Sequence, residues 1–359
     1  QAFVDQMEGF ALELEDELMN FSDVSYKSFV KSESEIITLF YDKFADIPLL
    51  SRMDAVAETF IDEIETLLNR DLPEEERIPL IEKFQKMYET MDFYVLYNRF
   101  LKKEGYQTLP RRPLEKRKLR YEDVYPVLYL KYRLSRQAER SNIKHLVIDE
   151  MQDYSRLQYL IIRRMFSCKM TILGDRAQTM ADQQQDVLQF LPGIFGKDLR
   201  RIEMRKSYRN TVEIASYAAN LIGVTDLELF ERHGMPVLER DVTDLEAALR
   251  EAVDTLFPDE KTYETAAVIV PDEKTAERAY LILREILAEK DFDCEKRLSW
   301  LNRDSSSFKK GLTVTTFYLA KGLEFDQVFS IFPKDEKREI MAQYIAATRA
   351  LHELRVYHI

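Results

Sequence analysis

The run Ile143-Lys-His-Leu-Val-Ile148, with Asp149-Glu150-Met151-Gln152-Asp153 directly behind it, decides how this chain folds. Its first half is a short apolar strand. Its second half sets two adjacent carboxylates at that strand's carboxyl end. A second strand, Met170-Thr-Ile-Leu173, ends in Gly174-Asp175-Arg176-Ala177-Gln178. Apolar runs at 266–270, 312–316 and 327–332 predict further strands, and segments between them, such as 272–289 and 338–350, predict helices. Buried apolar strands separated by helices indicate an α/β fold with a parallel sheet. Ligands of such sheets bind beyond the carboxyl ends of the strands, where these acidic clusters stand. One carboxylate of the Asp149–Glu150 pair can hold a magnesium ion through its water shell, while its neighbour orients or deprotonates an attacking water. Strands that end in acids are common; the string with Gln152 and Asp153 in register is far more specific.

Upstream, the first hundred residues read as helices. Ser32 and Glu35 have capping-box spacing ahead of Ile36, Ile37, Phe40 and Phe44. A helix over 51–69 sets Met53, Val56, Phe60, Ile64 and Leu67 on one stripe. Another begins after Pro73 with Glu74, Glu75 and Glu76 in its first turn, where the helix dipole favours anions. Its apolar face includes Ile81, Phe84, Met87 and Tyr88, and an aromatic run follows through Phe93, Tyr94, Tyr97 and Phe100. These stripes read as core. Charge is segregated: residues 1–92 hold 23 acidic and 8 basic side chains, or −15, so the rest of the chain is near +3 of the −12 total. Between Lys102 and Arg120 the sign reverses, with eight basic and two acidic residues around Pro110 and Pro113. This pattern fits a solvated helical surface followed by a basic loop, or an acidic arm that docks on a basic protein surface.

Composition narrows the class. At 359 residues and 45% hydrophobic, the chain can bury the cores of two or three domains. Cys168 and Cys294 stand far apart with no histidine cluster, which offers neither a zinc site nor a disulfide framework and fits a reducing cytoplasm. No apolar run approaches the roughly 20 residues needed to span a bilayer. The acidic balance argues against a protein that simply coats nucleic acid. Nine glycines do not assemble a phosphate-cradling loop: in Gly193-Ile-Phe-Gly196-Lys197 the spacing is too short, and Asp198 stands where Ser or Thr is needed.

Asp149–Asp153 and Gly174–Gln178 resemble the Walker B motif and motif III of the UvrD/Rep-type superfamily 1 helicases. Ser207-Tyr208-Arg209-Asn210 resembles their motif IV. Thr316-Phe-Tyr-Leu-Ala-Lys321-Gly322-Leu323-Glu324-Phe325-Asp326 resembles motif V, and Tyr344-Ile-Ala-Ala-Thr348-Arg349-Ala350 resembles motif VI. The resemblance implies RecA-like (P-loop NTPase) parallel sheets and ATP hydrolysis with magnesium. By that resemblance Asp149 binds the metal, Glu150 activates water, and Gln178 senses the γ-phosphate. Tyr208 stacks on adenine, Glu324 reaches the ribose, and Arg209 and Arg349 contact the phosphates. Two guanidinium groups aimed at a triphosphate stabilise charge spreading during phosphoryl transfer. Gln152, Asp153, Asp175, Lys321 and Gly322 couple nucleotide to domain motion.

Three departures shape the expectation. The glycine-rich phosphate loop (Walker A) is missing, so the chain reads as the carboxyl-terminal portion of a longer protein and is expected to be inactive alone as an ATPase. The run after Gln178, Thr179-Met-Ala-Asp-Gln183, has no aromatic, and Tyr318 replaces the usual histidine of motif V, so nucleic acid is bound weakly or indirectly. About 110 residues separate Arg209 from Lys321, too few for a large insertion there, and the extra mass lies before the Walker B strand. The combination resembles the HelD-like ATPases that bind bacterial RNA polymerase. The expected organisation is a mostly helical insertion (an arm) of motor domain 1A over 1–120, the carboxyl-terminal part of motor domain 1A with Walker B and motif III over 121–200, and motor domain 2A with motifs IV, V and VI over 201–359. The rival readings are a UvrD/Rep-type DNA helicase of repair or replication and a non-enzymatic interaction module on a motor scaffold.

Overall fold

The computed structural model describes residues 2–136, 142–175, 187–204, 206–224, 228–256, 263–289, 293–305, 310–334 and 340–359. The chain forms two compact units, Gln1–Gly174 with Gln183–Leu199, and Asp175–Asp182 with Arg200–Ile359.

In the first unit, α1 (Ala2–Glu17), α2 (Glu33–Thr38), α3 (Arg52–Leu68), α4 (Glu74–Gln85), α5 (Phe93–Lys103) and α6 (Tyr121–Leu134) surround one core that includes Met7, Phe10, Phe40, Phe60, Phe84, Phe100 and Tyr129. The Ser32–Glu35 capping box is formed, each side chain bonding the other residue's backbone N–H. Of the α3 stripe, Met53, Val56, Phe60 and Ile64 are buried, but Leu67 is 71% exposed. It lies on the last turn, just before Asn69 takes a left-handed conformation and turns the chain away. One stretch of this mostly helical region is not helix. A hairpin of β1 (Val24–Tyr26) and β2 (Phe29–Lys31) closes through a two-residue turn with Lys27 at φ 53°. The run is too short for periodicity to betray it.

β3 (His145–Ile148) and β4 (Lys169–Ile172) pair in parallel, Ile148 opposite Ile172. They pack with α7 (Arg156–Met165) and α8 (Val187–Phe195) through Ile148, Tyr159, Val187 and Leu191. The expectation of buried strands holds for one face only: Val147 is 59% exposed. Among the described residues these strands have no other sheet neighbour, so the apolar run is covered on alternate side chains alone.

The second unit is built on β7 (Leu238–Asp241), β8 (Thr265–Val270), β9 (Leu298–Trp300), β10 (Gly311–Thr316), β11 (Phe325–Phe332) and β12 (Ala350–His358), in the order β7-β12-β11-β8-β10-β9, all parallel. On β8, Ala266, Val268 and Val270 face a core shared with α10 (Leu245–Asp254) and α11 (Glu273–Ala288). Ala267 and Ile269 face the opposite core with α9 (Val212–Ile222) and α13 (Ile340–Ala347). Burial on both faces is why the strand is apolar without alternation. This is a mixed α/β, RecA-like fold. A short α12 (Cys294–Arg297) and a two-stranded pair, β5 (Lys206–Ser207) with β6 (Glu228–Leu229), complete the unit. The helix predicted over 338–350 ends at Ala347, and Ala350 opens β12, a strand not predicted. Thr348 and Arg349 form the break: the Thr348 hydroxyl donates to the Ile345 carbonyl and leads the chain out of the helix.

Candidate nucleotide-site residues

In the first unit the acidic string leaves β3 through a tight turn. Asp149 Oδ1 accepts the Glu150 N–H at 2.8 Å, and Glu150 itself is left-handed at φ 52°, ψ 51°. A non-glycine residue held there marks a backbone constrained by its surroundings. The constraints are visible. Met151 N–H donates to the Leu173 carbonyl at 2.8 Å, Leu173 N–H to the Ile148 carbonyl at 2.8 Å, and the Tyr159 hydroxyl to the Met151 carbonyl at 3.1 Å. Buried Gln152 donates to Glu150 Oε2 at 2.6 Å and thereby orients that carboxylate. Gln152 also explains Gly174: a Cβ there would lie 2.5 Å from Gln152 Oε1 and 2.6 Å from the Met151 nitrogen. The two motifs are thus one packed object, with Asp149 and Asp153 exposed on it. Gln178 and the run 179–183 lie outside the described residues.

In the second unit, residues from three distant motifs meet where β11 and β12 begin. Arg209 Nε pairs with Glu324 Oε1 at 2.7 Å, both about half exposed. Buried Asn210 donates through Nδ2 to the Ala350 carbonyl at 2.6 Å and the Thr348 carbonyl at 3.3 Å, joining motif IV to motif VI. Phe325 N–H donates to the Arg349 carbonyl at 2.9 Å, joining motif V to VI. The parallel register sets this edge at the amino end of the sheet, with Gln327 opposite Ala266 and Thr316 opposite Val270. The rule that ligands sit beyond carboxyl ends therefore locates Asp149 but not these groups. Lys321 and Gly322 follow the carboxyl end of β10, Gly322 at φ 81°.

Arg349 is only 1% exposed. Its guanidinium donates to the carbonyls of Ile345 at 3.2 Å and Leu323 at 3.4 Å and to Thr348 Oγ1 at 3.1 Å. To touch a phosphate it must leave these acceptors. Tyr208 is 60% exposed. Asp175 belongs to the second unit, where its carboxylate accepts the Tyr344 hydroxyl at 3.3 Å. Burial, first, and then Asp175 hold the Tyr344 hydroxyl in its neutral form, well above its usual range.

A further group carries no motif and was missed by sequence reading. Residues 228–234 brace motif IV along its length. The β5–β6 register sets Tyr208 beside Phe230, rings 5.6 Å apart, and Phe230 N–H donates to the Ser207 carbonyl at 3.1 Å. Lys206 Nζ lies over both rings, at 5.6 and 5.8 Å. Arg232 donates to the Arg209 carbonyl and, at 2.8 Å, to the Leu351 carbonyl. Glu213 accepts His233 Nδ1 and the Gly234 N–H, each at 2.9 Å. These bonds, His233 first, hold the Glu213 carboxyl down at about 2. Only pairing through space reveals this segment.

Residues 10–180 match the model of the UvrD/REP helicase N-terminal domain. Among solved structures, the chain is similar to the C-terminal domain of a possible DNA helicase from Lactobacillus plantarum WCFS1, at 22% identity and TM-score 0.33, covering 43% of this chain and 88% of that one. It is also similar to the helicase of PRRSV, at 14% identity and TM-score 0.35, covering 74% of this chain and 45% of that one. Arterivirus nonstructural protein 10 (helicase) is similar at 14% identity and TM-score 0.33, covering 74% of this chain and 50% of that one. The chain thus spans about half the length of each viral helicase. No curated protein matches the chain. Among the described residues no helix is long and apolar enough to cross a membrane, and no cluster of three metal-binding side chains occurs.

Proposed function

We propose that the chain is part of an ATP-dependent, helicase-like cytoplasmic motor that remodels or recycles bacterial RNA polymerase, of the HelD-like kind. The observation that supports the motor reading is the convergence of motifs IV, V and VI on one sheet edge, with Arg209 paired to Glu324. The residues present fit a nucleotide–magnesium ligand: Asp149 is an exposed hard-oxygen donor at a strand end, suited to an ion that keeps most of its water. Magnesium, when bound, supplies the charge that neutralises phosphate oxygens. Glu150, its carboxylate oriented by Gln152, takes the proton of the attacking water. Arg209 holds a phosphate, Glu324 the ribose and Tyr208 the base. Gln178 senses the terminal phosphate, and Arg349 joins the phosphates on leaving its internal carbonyls. Asp153, Asp175, Lys321 and Gly322 transmit the nucleotide state. This chain without the glycine-rich loop does not hydrolyse ATP. The acidic residues 1–92 meet the basic channels of the polymerase.

The match of residues 10–180 to the UvrD/REP model favours a second reading with equal force, a DNA helicase of repair or replication. Full-length protein separates the two. Release of stalled polymerase from template, lost in Glu150→Gln and Arg209→Ala while polymerase binding persists, is the outcome expected of the first reading. ATP-driven strand separation without polymerase would refute it in favour of the second. ATP turnover unchanged in both variants would overturn the motor reading itself.

A further inference from the structure

In the nucleotide reading Tyr208 carries the base, yet its own bonding does not fix its direction. It is 60% exposed, and among the described residues its hydroxyl makes no hydrogen bond. A surface side chain of this kind samples three staggered χ1 wells. Phe230 stands against it. The two rings lie 5.6 Å apart at an interplanar angle of 38°, within the range over which aromatic pairs attract. Lys206 Nζ spans both, 5.6 Å from one ring centre and 5.8 Å from the other. The Phe230 backbone is itself held on both sides. Its N–H donates to the Ser207 carbonyl at 3.1 Å, and its carbonyl accepts the Arg232 N–H at 2.7 Å. The Arg232 carbonyl in turn accepts the Val212 N–H at 2.9 Å, at the start of α9. The Arg232 side chain bonds the Arg209 and Leu351 carbonyls. The mount is therefore fixed, although the Phe230 ring is 46% exposed and belongs to neither of the unit's two hydrophobic cores.

We infer that Phe230 is a positioning residue for a purine nucleotide, keeping the Tyr208 ring in the one orientation on which the base stacks. The inference deepens the nucleotide reading above and rests on it. Phe230 acts through Tyr208 and makes no contact of its own with the base. Without Phe230 the Tyr208 side chain spreads over three wells. The binding-competent fraction falls to about a third, and the apparent affinity falls about threefold. A group that acts only through Tyr208 has no effect once that ring is removed, which distinguishes it from an independent contact.

The test is calorimetric titration of the full-length protein with ADP and with UDP, with ATP turnover measured beside it. Tyr208→Ala weakens ADP binding about tenfold, and UDP, whose smaller base stacks less, loses less. Phe230→Ala weakens ADP binding about threefold and leaves kcat at saturating ATP in place. It also leaves the unfolding midpoint of this chain, read by Trp300 fluorescence, unchanged. Phe230→Tyr restores wild-type affinity. The double variant Tyr208→Ala with Phe230→Ala binds ADP as Tyr208→Ala alone does. Unchanged ADP affinity in Phe230→Ala, where Tyr208→Ala is weakened, overturns the inference and leaves the nucleotide reading standing. A double variant about threefold weaker than Tyr208→Ala overturns it too, by making Phe230 an independent contact. A lowered midpoint in Phe230→Ala, with kcat and affinity falling together and no rescue by tyrosine, reduces Phe230 to a structural residue. Full ADP affinity in Tyr208→Ala refutes the nucleotide reading itself, and the inference with it.

Discussion

Asn210 ties motif IV to motif VI with one amide, and its replacement isolates that tie. In Asn210→Ala the Ala350 carbonyl, on a fully buried residue, loses a bond of 2.6 Å, and the Thr348 carbonyl loses a longer one at 3.3 Å. A buried acceptor left without its donor costs about 1–3 kcal/mol. The longer bond adds less, so the loss sums to about 2–3 kcal/mol. For a unit of this size each kcal/mol shifts the unfolding midpoint by roughly 2–4 °C, which predicts a drop of about 5–10 °C. Asn210→Asp keeps shape and volume but turns a carboxylate toward the same two carbonyl oxygens, and it is expected to be worse than alanine. The assay is built into the chain: Trp300, the sole tryptophan, lies on β9 and reports the second unit alone by fluorescence. If the aspartate variant melts with the wild type, or above the alanine variant, the amide is not the tie described, and the convergence of the motifs has another cause.

Gly174→Ala forces a methyl group against the Met151 backbone at 2.6 Å and is expected to destabilise the packing beyond the carboxyl ends of β3 and β4 by about 1–3 kcal/mol, read as faster hydrogen exchange at Met151 and Leu173. Arg349→Ala removes the guanidinium donor of the Leu323 carbonyl and leaves the Ile345 carbonyl with the Thr348 hydroxyl. It should lower the Trp300-reported midpoint before any nucleotide is added, whereas a purely phosphate-binding arginine would leave it unchanged. Glu213 has a folded-state value near 2 against an ordinary 4.5, so its contribution to stability is complete above about pH 4.5 and is lost as pH falls toward 2. Glu213→Gln should therefore be less stable than wild type at neutral pH and converge with it in acid; parallel pH curves would show that the His233–Gly234 contact contributes nothing.

How much of this was legible beforehand differs by element. The capping box at Ser32, the helix over α3 and the three central strands β8, β10 and β11 follow from local chemistry: a hydroxyl three residues from a carboxylate, an apolar period of 3.6, and apolar runs too short for helices. The contiguous strings at 149–153, 207–210, 316–326 and 344–350 were readable for the same reason, since each keeps its residues side by side in the chain. The hairpin at Lys27, the strand β12 and the exposure of Val147 were not, because each depends on what lies across from the segment and not on the segment itself.

From its sequence alone the protein declared an α/β class, an acidic helical region and five ordered motifs, because covalent adjacency and periodicity survive without a fold. Tertiary structure alone decided that motifs IV, V and VI meet at the amino edge of the sheet, that Arg349 is turned inward onto carbonyls, and that Phe230, Arg232 and His233 brace Tyr208, Arg209 and Glu213. Parallel pairing brings together groups more than a hundred residues apart, and the directions of their donors and acceptors exist only once the strands are in register.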